Sequence, residues 1–533
     1  MADIPGSTID TTSLLTILGV IAAVWAIVPA TTKLGFRLSL SLIDWAIIIF
    51  TLLLIHYLAF EPTLRALGWY FSFGPWRWSL TSSSVIYLLM LGMSGYIYVR
   101  LRTATLARRN IGTFERLFDA LLLTKKYDQL AALLDTHIKS VFKIAEQPAR
   151  RCWLASMLDR DRSAHFPDTA EKPEHSFTRQ ICKAKNWLAR RLLPETTPED
   201  TAKHILMRLL SSPSLAAHLA VNQPRLCLKI LRIPRSLRSD FGNLFFQALI
   251  SDESSIFYSE LKNNTGTSGT YRTPPISANK LLSFYLKDVR VAQAHAVYQS
   301  VAQALFQKID GNEALAKACN EPLGYYEEEG RYKCPIYCGL QFFKIMIHEA
   351  NHQQLHNHLW LHHLPHFTDK ILAKLRDPRP DDSQYEYPTR FHYLIYQITS
   401  ITMHWIDDAQ YTPANNSEPK TRLYIPFQAT KAMARILSSV IGASQLDDSF
   451  KTYILEIVLR GIYRAGKHPS LQLVMESLVD EIICVRDSYS SAAGYLAQLS
   501  QAHSMMDPEI VHSSVAFEKK LQDKIVSVGR NPR

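Results

Sequence analysis

Residues 45–60 read WAIIIFTLLLIHYLAF and contain no Lys, Arg, Asp or Glu. They belong to a longer run between Arg37 and Glu61 in which Asp44 is the only charged residue. A helix needs about 20 mainly apolar residues to cross the hydrocarbon of a bilayer. Because no water reaches that depth, the backbone of a spanning segment must satisfy its own hydrogen bonds, as a helix does. This stretch therefore predicts a membrane-spanning helix over residues 41–60.

Two further uncharged runs flank this segment. One lies between Asp10 and Lys33, with the apolar core LLTILGVIAAVWAIVPA at 14–30, and the other lies between Arg77 and Arg100. Three such runs within the first hundred residues favour membrane spans over the buried core helices of a soluble protein. We therefore predict a membrane domain over residues 1–103, with spans at 12–31, 41–60 and 80–99.

The charges around these runs predict the orientation of the chain. The N-terminal tail, MADIPGSTIDTTS, has two Asp and no Lys or Arg, whereas several Arg follow the third run. Positively charged loops stay on the cytoplasmic side of a membrane. We therefore expect a multi-pass protein of the inner membrane, with its N-terminus outside and its C-terminal domain in the cytoplasm.

The remainder of the chain differs in character from its first hundred residues. The mean hydropathy of the whole chain is −0.06, and 47% of its residues are apolar, which excludes a wholly disordered or fibrous protein. This near-neutral mean combines a very apolar N-terminal part with a polar remainder. Seven scattered Cys exclude a disulfide scaffold and suit a reducing compartment.

Residues 104–533 show the apolar spacing of amphipathic helices, as in Phe114, Leu117 and Phe118. Thr197 followed by Pro198 has the form of an N-cap and a first helical turn. The expected fold class is all-α, with three N-terminal transmembrane helices and a large α-helical cytoplasmic domain, an irregular helical array or bundle. Helices are predicted near 113–123, 128–145, 176–193, 198–211, 240–250, 279–309, 339–363, 388–407, 425–442, 447–465, 469–486 and 489–505.

A polar stretch divides this cytoplasmic part. Residues 262–277, KNNTGTSGTYRTPPIS, have the composition of a linker. We therefore expect a basic membrane-proximal helical lobe over 104–261 and a distal helical lobe over 278–533. From Arg100 to Arg191, 19 Lys and Arg stand against 10 Asp and Glu, so positive charge concentrates beside the predicted membrane.

An anionic surface is the partner that this charge favours. Anionic lipids attract juxtamembrane Lys and Arg by about 1 kcal/mol each. Nucleic acid is the alternative partner, because Trp153 and Trp187 stand near Arg pairs and can stack on bases, and an acidic protein is the third. The candidate residues are Arg100, Arg102, Arg108, Arg109, Arg150, Arg151, Arg190 and Arg191.

The predicted spans contain two features of possible functional interest. Gly19, Ala23 and Ala26 recur at helical spacing in the first span, and small residues allow helices to approach closely. This face predicts either self-association or packing against the other spans. Asp44 and His56 are ionisable residues within the second run. Their positions near its ends indicate contact with headgroups rather than a proton or ion pathway.

One His-rich stretch carries the pattern of a zinc enzyme. The sequence HEANH at 348–352 satisfies H-E-x-x-H, which places two His on one face of a helix where they can share Zn²⁺. It resembles the zincin peptidases, and His358 stands where metzincins have a third ligand. Leu355, however, replaces the metzincin glycine. The resemblance implies Glu349 as general base of a zinc hydrolase.

The same stretch also resembles a structural zinc site. Cys334 and Cys338 precede His348 and His352 in the order of a C2H2 finger, although the pairs stand closer in sequence than is usual. Four such ligands would close the site and leave no catalytic position. The third interpretation is a helix whose His line a polar face and whose two Cys are buried thiols, without any metal.

No Walker A, Rossmann, nucleophile-elbow or protein-kinase motif occurs in the sequence. We therefore expect a non-enzymatic function without a cofactor, in which the cytoplasmic domain binds a partner or signal at the membrane. One concrete form is a stress or antiviral-defence effector that acts on the bilayer. A scaffold of a secretion or conjugation apparatus is the second hypothesis, and a membrane-tethered zinc hydrolase is the third. The expected partners are the lipid bilayer, an unidentified cytoplasmic protein and further copies of the chain.

Overall fold

The described part of the computed structural model is entirely helical. It comprises 23 α-helices and two short 3-10 helices, with no strand among these residues, so the predicted all-α class is confirmed. Contacts divide the chain into two compact units, residues 1–215 with 232–239, and residues 216–231 with 240–533. The structure describes residues 38–71, 82–102, 106–146, 197–233, 240–265, 279–323, 331–353, 355, 359–376, 387–408, 425–484 and 492–530.

The first unit holds an apolar helical hairpin followed by three amphipathic helices. Its helices are α1 (Leu42–Ala59), α2 (Glu61–Ala66), α3 (Ser82–Arg102), α4 (Ile111–Leu123), α5 (Tyr127–Glu146) and α6 (Pro198–Ser211). A further helix, α7 (Pro213–Asn222), begins in this unit and ends in the second one.

The hairpin consists of α1 and α3. Within the described residues, α1 is the one helix that is long and apolar enough to cross a membrane, and α3 carries a shorter apolar segment, Ser84–Arg100. The two helices pack through Ile55, Leu58 and Ile86. The first predicted span, residues 12–31, lies outside the described residues. The structure thus supports one candidate span, not the three that the sequence predicts.

Helices α4, α5 and α6 pack together beside the hairpin. The core is built from apolar residues spaced by three or four, which places them on one face of each helix. Phe114 and Phe118 of α4 are fully buried, as is Leu130 of α5. His137 of α5 is also fully buried, edge-on to the Phe114 ring at 5.9 Å. Neither ring nitrogen of His137 has a hydrogen-bond partner among the described residues.

The second unit is a larger all-helical assembly. Its helices after α7 are α8 (Pro224–Leu231), α9 (Phe241–Ser251), α10 (Ile256–Thr265), α11 (Lys280–Leu286), α12 (Val289–Ala294), α13 (Val297–Gly311), α14 (Glu313–Asn320), α15 (Pro335–His352), α16 (His363–Lys374), α17 (Arg390–Asp408), α18 (Ile425–Ile441), α19 (Asp448–Gly466), α20 (Gln472–Ile483), α21 (Ala492–Ser504), α22 (Pro508–Ser513) and α23 (Val515–Arg530).

Helix α15 lies at the centre of this unit. It packs against α9, α10, α13 and α17, and its Phe342 and Phe343 are fully buried. Gly339 lets α13 approach closely, because a Cβ atom there would lie 2.1 Å from Cδ1 of Leu305. This central helix carries three of the four zinc ligands that the sequence proposes, and the fourth, Cys334, is its N-cap.

A buried carboxylate joins α10 to α11. Glu260 accepts hydrogen bonds from the backbone N–H groups of Lys280 at 2.6 Å, Leu281 at 3.0 Å and Leu282 at 2.8 Å. The first N–H groups of a helix have no partner within the helix, and a negative charge at this end is favourable. Glu260 therefore caps a helix that begins 20 residues later.

The observed helix bounds agree with the predicted ones where the sequence contains a clear N-cap. They differ where a turn interrupts the apolar periodicity. Helix α6 spans residues 198–211 as predicted, with Thr197 accepting from the N–H of Asp200 at 3.2 Å. The single helix predicted over 279–309 is instead α11, α12 and α13. Asp288 caps α12, and Ala296 adopts a left-handed conformation with φ of 50° before α13. The helix predicted over 339–363 ends at His352.

Candidate functional site at the membrane junction

The N-terminal end of α1 is built around Asp44. The Ser41 hydroxyl accepts from the N–H of Asp44 at 3.2 Å, while the Asp44 carboxylate accepts from the N–H of Ser41 at 2.7 Å. This reciprocal capping box satisfies two N–H groups that helix formation leaves without partners. It also fixes the carboxylate at the positive end of the helix dipole. Local sequence alone therefore positions Asp44.

Helix α3 brings two partners to the same carboxylate. The Tyr96 hydroxyl and the Arg100 guanidinium both donate to Asp44, and Arg100 also donates to the carbonyl of Ser39 at 3.3 Å. Asp44 is 4% exposed, so the charge is buried and paired. The sequence predicted that Asp44 faces headgroups and that Arg100 faces an anionic partner. The structure instead pairs the two residues with each other.

The segment before α1 is hydrogen-bonded to the start of the helices that follow α3. The Asn110 side-chain amide donates to the carbonyls of Leu38 at 2.9 Å and Leu40 at 3.2 Å. The N–H of Ala107 donates to the carbonyl of Leu38 at 3.3 Å. Leu38, Leu40 and Leu106 are buried. The hairpin is therefore attached to the helical lobe by packing and hydrogen bonds, in addition to the connecting chain. We call residues 38–44, 96–100 and 106–111 the membrane junction.

Ion pairs extend the junction into the lobe. Arg108 lies 3.6 Å from the buried carboxylate of Glu199 on α6. Arg208 of α6 lies 2.5 Å from Asp119 of α4, which joins the two helices at their exposed edge. Because these pairs are partly exposed, each contributes little stability by itself. Within the first unit, they join α6 to Arg108 of the junction and to α4.

The predicted basic surface is only partly described. Arg109 is an exposed residue of the junction, and its contact with an anionic surface stays a prediction. Arg102 is described in its backbone alone. The remaining members of the predicted surface and of the predicted helix-packing face lie outside the described residues, namely Arg150, Arg151, Arg190, Arg191, Gly19, Ala23 and Ala26.

The four proposed zinc ligands do not converge. Cys334 is the N-cap of α15 and Cys338 lies one turn further along, whereas His348 and His352 occupy the last turns of the same helix. At 1.5 Å per residue, the ten residues from Cys338 to His348 place the pairs about 15 Å apart. One ion cannot bind both pairs. Among the described residues, no three His, Cys, Asp or Glu side chains form a group able to hold a metal.

The H-E-x-x-H residues have partners within the fold. Nδ1 of His348 lies 2.9 Å from the Asp408 carboxylate of α17. The Gln353 side-chain amide donates to Glu349 at 2.8 Å and to the carbonyl of Leu286 at 2.7 Å. Glu349 therefore takes part in a contact between α15 and α11. His352 is exposed, and the predicted third ligand, His358, lies outside the described residues.

Sequence reasoning missed the pairing of α1 with α3. The available signal was position, because Asp44 stands near the start of one apolar run and Arg100 directly after the next. Consecutive spans would run in opposite directions, so the predicted topology alone already places these two positions at the same depth. No protein-family model, curated protein or solved structure matches the chain.

Proposed function

We propose that the protein is a multi-pass inner-membrane protein whose cytoplasmic helical domain binds a partner or signal and passes its effect to the bilayer through the membrane junction. The observation that carries this proposal is the apolar hairpin joined to the lobe by Asp44, Arg100 and Asn110. A hairpin that only anchored the domain would need no such attachment. Here a movement of α4 to α6 would also move the ends of α1 and α3.

The membrane part of the proposal rests on unburied apolar surface. Only 17% of α1 is buried, which is unlike the core helix of a soluble protein. Its Ile43 and Phe50 are 72% and 68% exposed, and Tyr87 and Leu91 of α3 are 61% and 57% exposed. Apolar surface of this extent is unfavourable in water and is satisfied by lipid.

The proposed topology keeps the three spans of the sequence analysis. The N-terminus lies outside, the span at 12–31 crosses first, and α1 and α3 follow as an antiparallel pair. The N-terminal end of α1 and the C-terminal end of α3, which carries Arg100, then lie at the cytoplasmic face of the membrane, next to α4. Arg109 and the other basic residues of the lobe face anionic lipid, at about 1 kcal/mol for each near the surface.

Accessibility of Cys residues to a membrane-impermeant maleimide tests the topology. The starting chain carries Ser in place of Cys152 and Cys182, so that the exposed native Cys484 reports on the second unit. In spheroplasts, a Ser7→Cys residue is expected to react at once, and Cys484 only after lysis. Labelling of Cys484 in intact spheroplasts would exclude the proposed orientation.

The functional role is tested by weakening the junction without removing the hairpin. Asn110→Ala deletes the two hydrogen bonds to the segment before α1. Asn222→Ala is the matched control, because among the described residues its amide bonds only within its own helix, to the carbonyl and Nδ1 of His218. Cells that overexpress the chain are expected to take up a membrane-impermeant dye. Asn110→Ala should abolish uptake at equal amounts in the membrane fraction, and Asn222→Ala should not.

Two results would contradict the effector role. Dye uptake by the Asn110→Ala variant at the level of the unmodified chain would show that the junction transmits nothing. A chain that causes no uptake, and that co-purifies with a stable set of membrane proteins, would instead favour the scaffold hypothesis.

A further inference from the structure

A short structured segment closes the hairpin at the end of α1 that lies away from the membrane junction. Helix α2 follows α1 and ends at a turn in which Gly68 adopts φ of 72°. The N–H of Gly68 donates to the carbonyl of Arg65 at 3.1 Å, and the N–H of Trp69 donates to the carbonyl of Leu64 at 2.9 Å. These two bonds form a Schellman motif, in which the left-handed position favours glycine because a Cβ atom is unfavourable there. We call residues 60–71 the hairpin cap.

Contacts with α1 and α3 hold the hairpin cap in place. The Tyr57 hydroxyl of α1 accepts from the N–H of Phe71 at 2.7 Å and donates to the carbonyl of Phe71 at 3.2 Å. The rings of Tyr57 and Tyr70 are stacked, with their centroids 5.5 Å apart. Glu61 accepts from the hydroxyl of Ser82, the first residue of α3. The hairpin cap is therefore attached to both helices of the hairpin.

The hairpin cap exposes large apolar side chains that these contacts do not cover. Four of them are between 57% and 75% exposed, namely Phe60, Leu67, Trp69 and Phe71. The same segment carries Arg65, whose guanidinium lies 2.5 Å from the Glu61 carboxylate and 4.9 Å from the centre of the Tyr70 ring. The Arg65 side chain remains 63% exposed. Exposed aromatic rings and an accessible cation on one short segment suit the boundary between acyl chains and headgroups.

The length of α1 places the hairpin cap at this boundary. The 18 residues Leu42–Ala59 measure about 27 Å at 1.5 Å per residue, which is close to the hydrocarbon thickness of about 30 Å. If the N-terminal end of α1 lies at one face of the membrane, the hairpin cap reaches the opposite face. Aromatic side chains are enriched at both faces, because the ring is apolar and the surroundings are partly wet.

We propose that the hairpin cap is a lipid anchor that inserts Trp69 and Phe71 among the upper acyl chains of the leaflet opposite the membrane junction. The inference rests on the membrane hairpin of the proposed function and names the partner of its far end, the phospholipid interface. An Arg side chain at this depth is available to phosphate groups, with which it forms charge-assisted hydrogen bonds. Anchoring of the far end would fix the depth of α1, so that Asp44 stays at the other face.

Depth-dependent fluorescence quenching of the full chain tests the proposal. Phe71→Cys, or Phe50→Cys midway along α1, supplies the thiol for a nitrobenzoxadiazole label in a chain with Ser at Cys152, Cys182 and Cys484. The protein is reconstituted into vesicles of phosphatidylethanolamine and phosphatidylglycerol. These contain phosphatidylcholine with a nitroxide either near the acyl carbonyl or near the chain end. The label at position 71 should be quenched more by the shallow nitroxide, and the label at position 50 more by the deep one.

A label on the exposed native Cys484 of the second unit is the control, and aqueous iodide alone should quench it. A label at position 71 that behaves like this control would overturn the proposal. Protection from iodide without quenching by either nitroxide would also overturn it, and would indicate that a protein covers the hairpin cap. If the label at position 50 is quenched by the deep nitroxide in either case, the membrane hairpin stands and only the anchor fails. Absence of lipid quenching at both positions would overturn the membrane hairpin as well.

The turn at Gly68 provides a second test. Gly68→Ala should weaken quenching of the label at position 71 by the shallow nitroxide, because a left-handed conformation is unfavourable for Ala and the turn positions Trp69 and Phe71. Gly112→Ala is the matched control, since a Cβ atom there meets no atom within 4 Å and its φ is not positive. Equal quenching in the two variants would contradict a cap that the turn positions for lipid.

Discussion

Removing Arg100 should open the membrane junction. Arg100→Gln leaves the Asp44 carboxylate with the Tyr96 hydroxyl and the Ser41 N–H as donors but without a positive charge. The Asp44 side chain is 6% exposed and that of Arg100 is 25% exposed. The carboxylate would therefore remain buried and uncompensated. Asp44→Asn combined with Arg100→Gln removes both charges and leaves polar groups of similar size in contact.

The magnitude follows from this partial burial. Breaking a buried ion pair by removing one partner costs about 3–5 kcal/mol. We expect a cost at the lower end of this range, about 3 kcal/mol, because Arg100 is one quarter exposed and Asp44 keeps two other donors. At 1.4 kcal/mol per factor of ten, opening becomes more frequent by roughly a hundredfold or more. The double variant should lose only about 1 kcal/mol, because neither charge is left unpaired.

Hydrogen exchange measured by mass spectrometry reads this opening directly. The full chain in detergent micelles is compared with the single variant, the double variant and Arg109→Gln, which alters an exposed Arg at the same junction. Peptides covering residues 38–48 should exchange roughly a hundredfold faster in Arg100→Gln and less than tenfold faster in the double variant. Equal exchange in Arg100→Gln and Arg109→Gln would refute the reasoning. A double variant that exchanges as fast as Arg100→Gln would refute it as well.

Three further predictions concern the helical core. Burial lowers the pKa of His137 from 6.5 to about 4, so the unfolded chain binds the proton more tightly than the folded chain does. The free energy of unfolding should therefore fall by about 3 kcal/mol as the pH drops from 6.5 to about 4. His137→Leu should weaken the dependence of the thermal unfolding temperature on pH in that range, although His363 and His392, whose pKa burial also lowers to about 4, still contribute to it. An unchanged dependence would contradict this. Glu260→Gln should speed amide hydrogen exchange at residues 280–282 about tenfold, because a neutral amide replaces the carboxylate that caps α11. Unaltered exchange at these residues would exclude a capping role for Glu260. Gly339→Ala should destabilise the folded chain by about 1–3 kcal/mol, because the added methyl group clashes with Leu305. Gly466→Ala is the control and should leave the unfolding temperature nearly unchanged, because an added Cβ there meets no atom within 4 Å. Equal effects of the two substitutions would be inconsistent with close packing of α13 on Gly339.

The sequence predicted helices well where local signals are complete. Residues 198–211 carry an N-cap, a first-turn Pro and a continuous apolar face, and α6 has those bounds. Residues 279–309 have a similar periodicity, but the chain turns at Asp288 and at Ala296. The residue type does not predict the left-handed conformation of Ala296, because surrounding contacts impose it. Periodicity therefore identified the helical faces and missed the breaks between helices.

The candidate site was less predictable than the fold. The H-E-x-x-H pattern concerns residues on one helix and does not predict which residues of other segments they contact. The contacts of His348 with Asp408 and of Glu349 with Gln353 could therefore not be predicted. A zinc site joining Cys334 to His352 would require a turn between the Cys pair and the His pair, which the continuous α15 lacks.

The Asp44–Arg100 pair also bears on how the protein is made. The two residues are 56 positions apart, and a ribosome adds about 5–20 residues per second. Asp44 therefore waits several seconds for its counter-charge after its own helix has emerged. During that interval only the Ser41 capping box holds the carboxylate. Under the proposed topology, we therefore expect the hairpin, rather than α1 alone, to enter the bilayer as one unit.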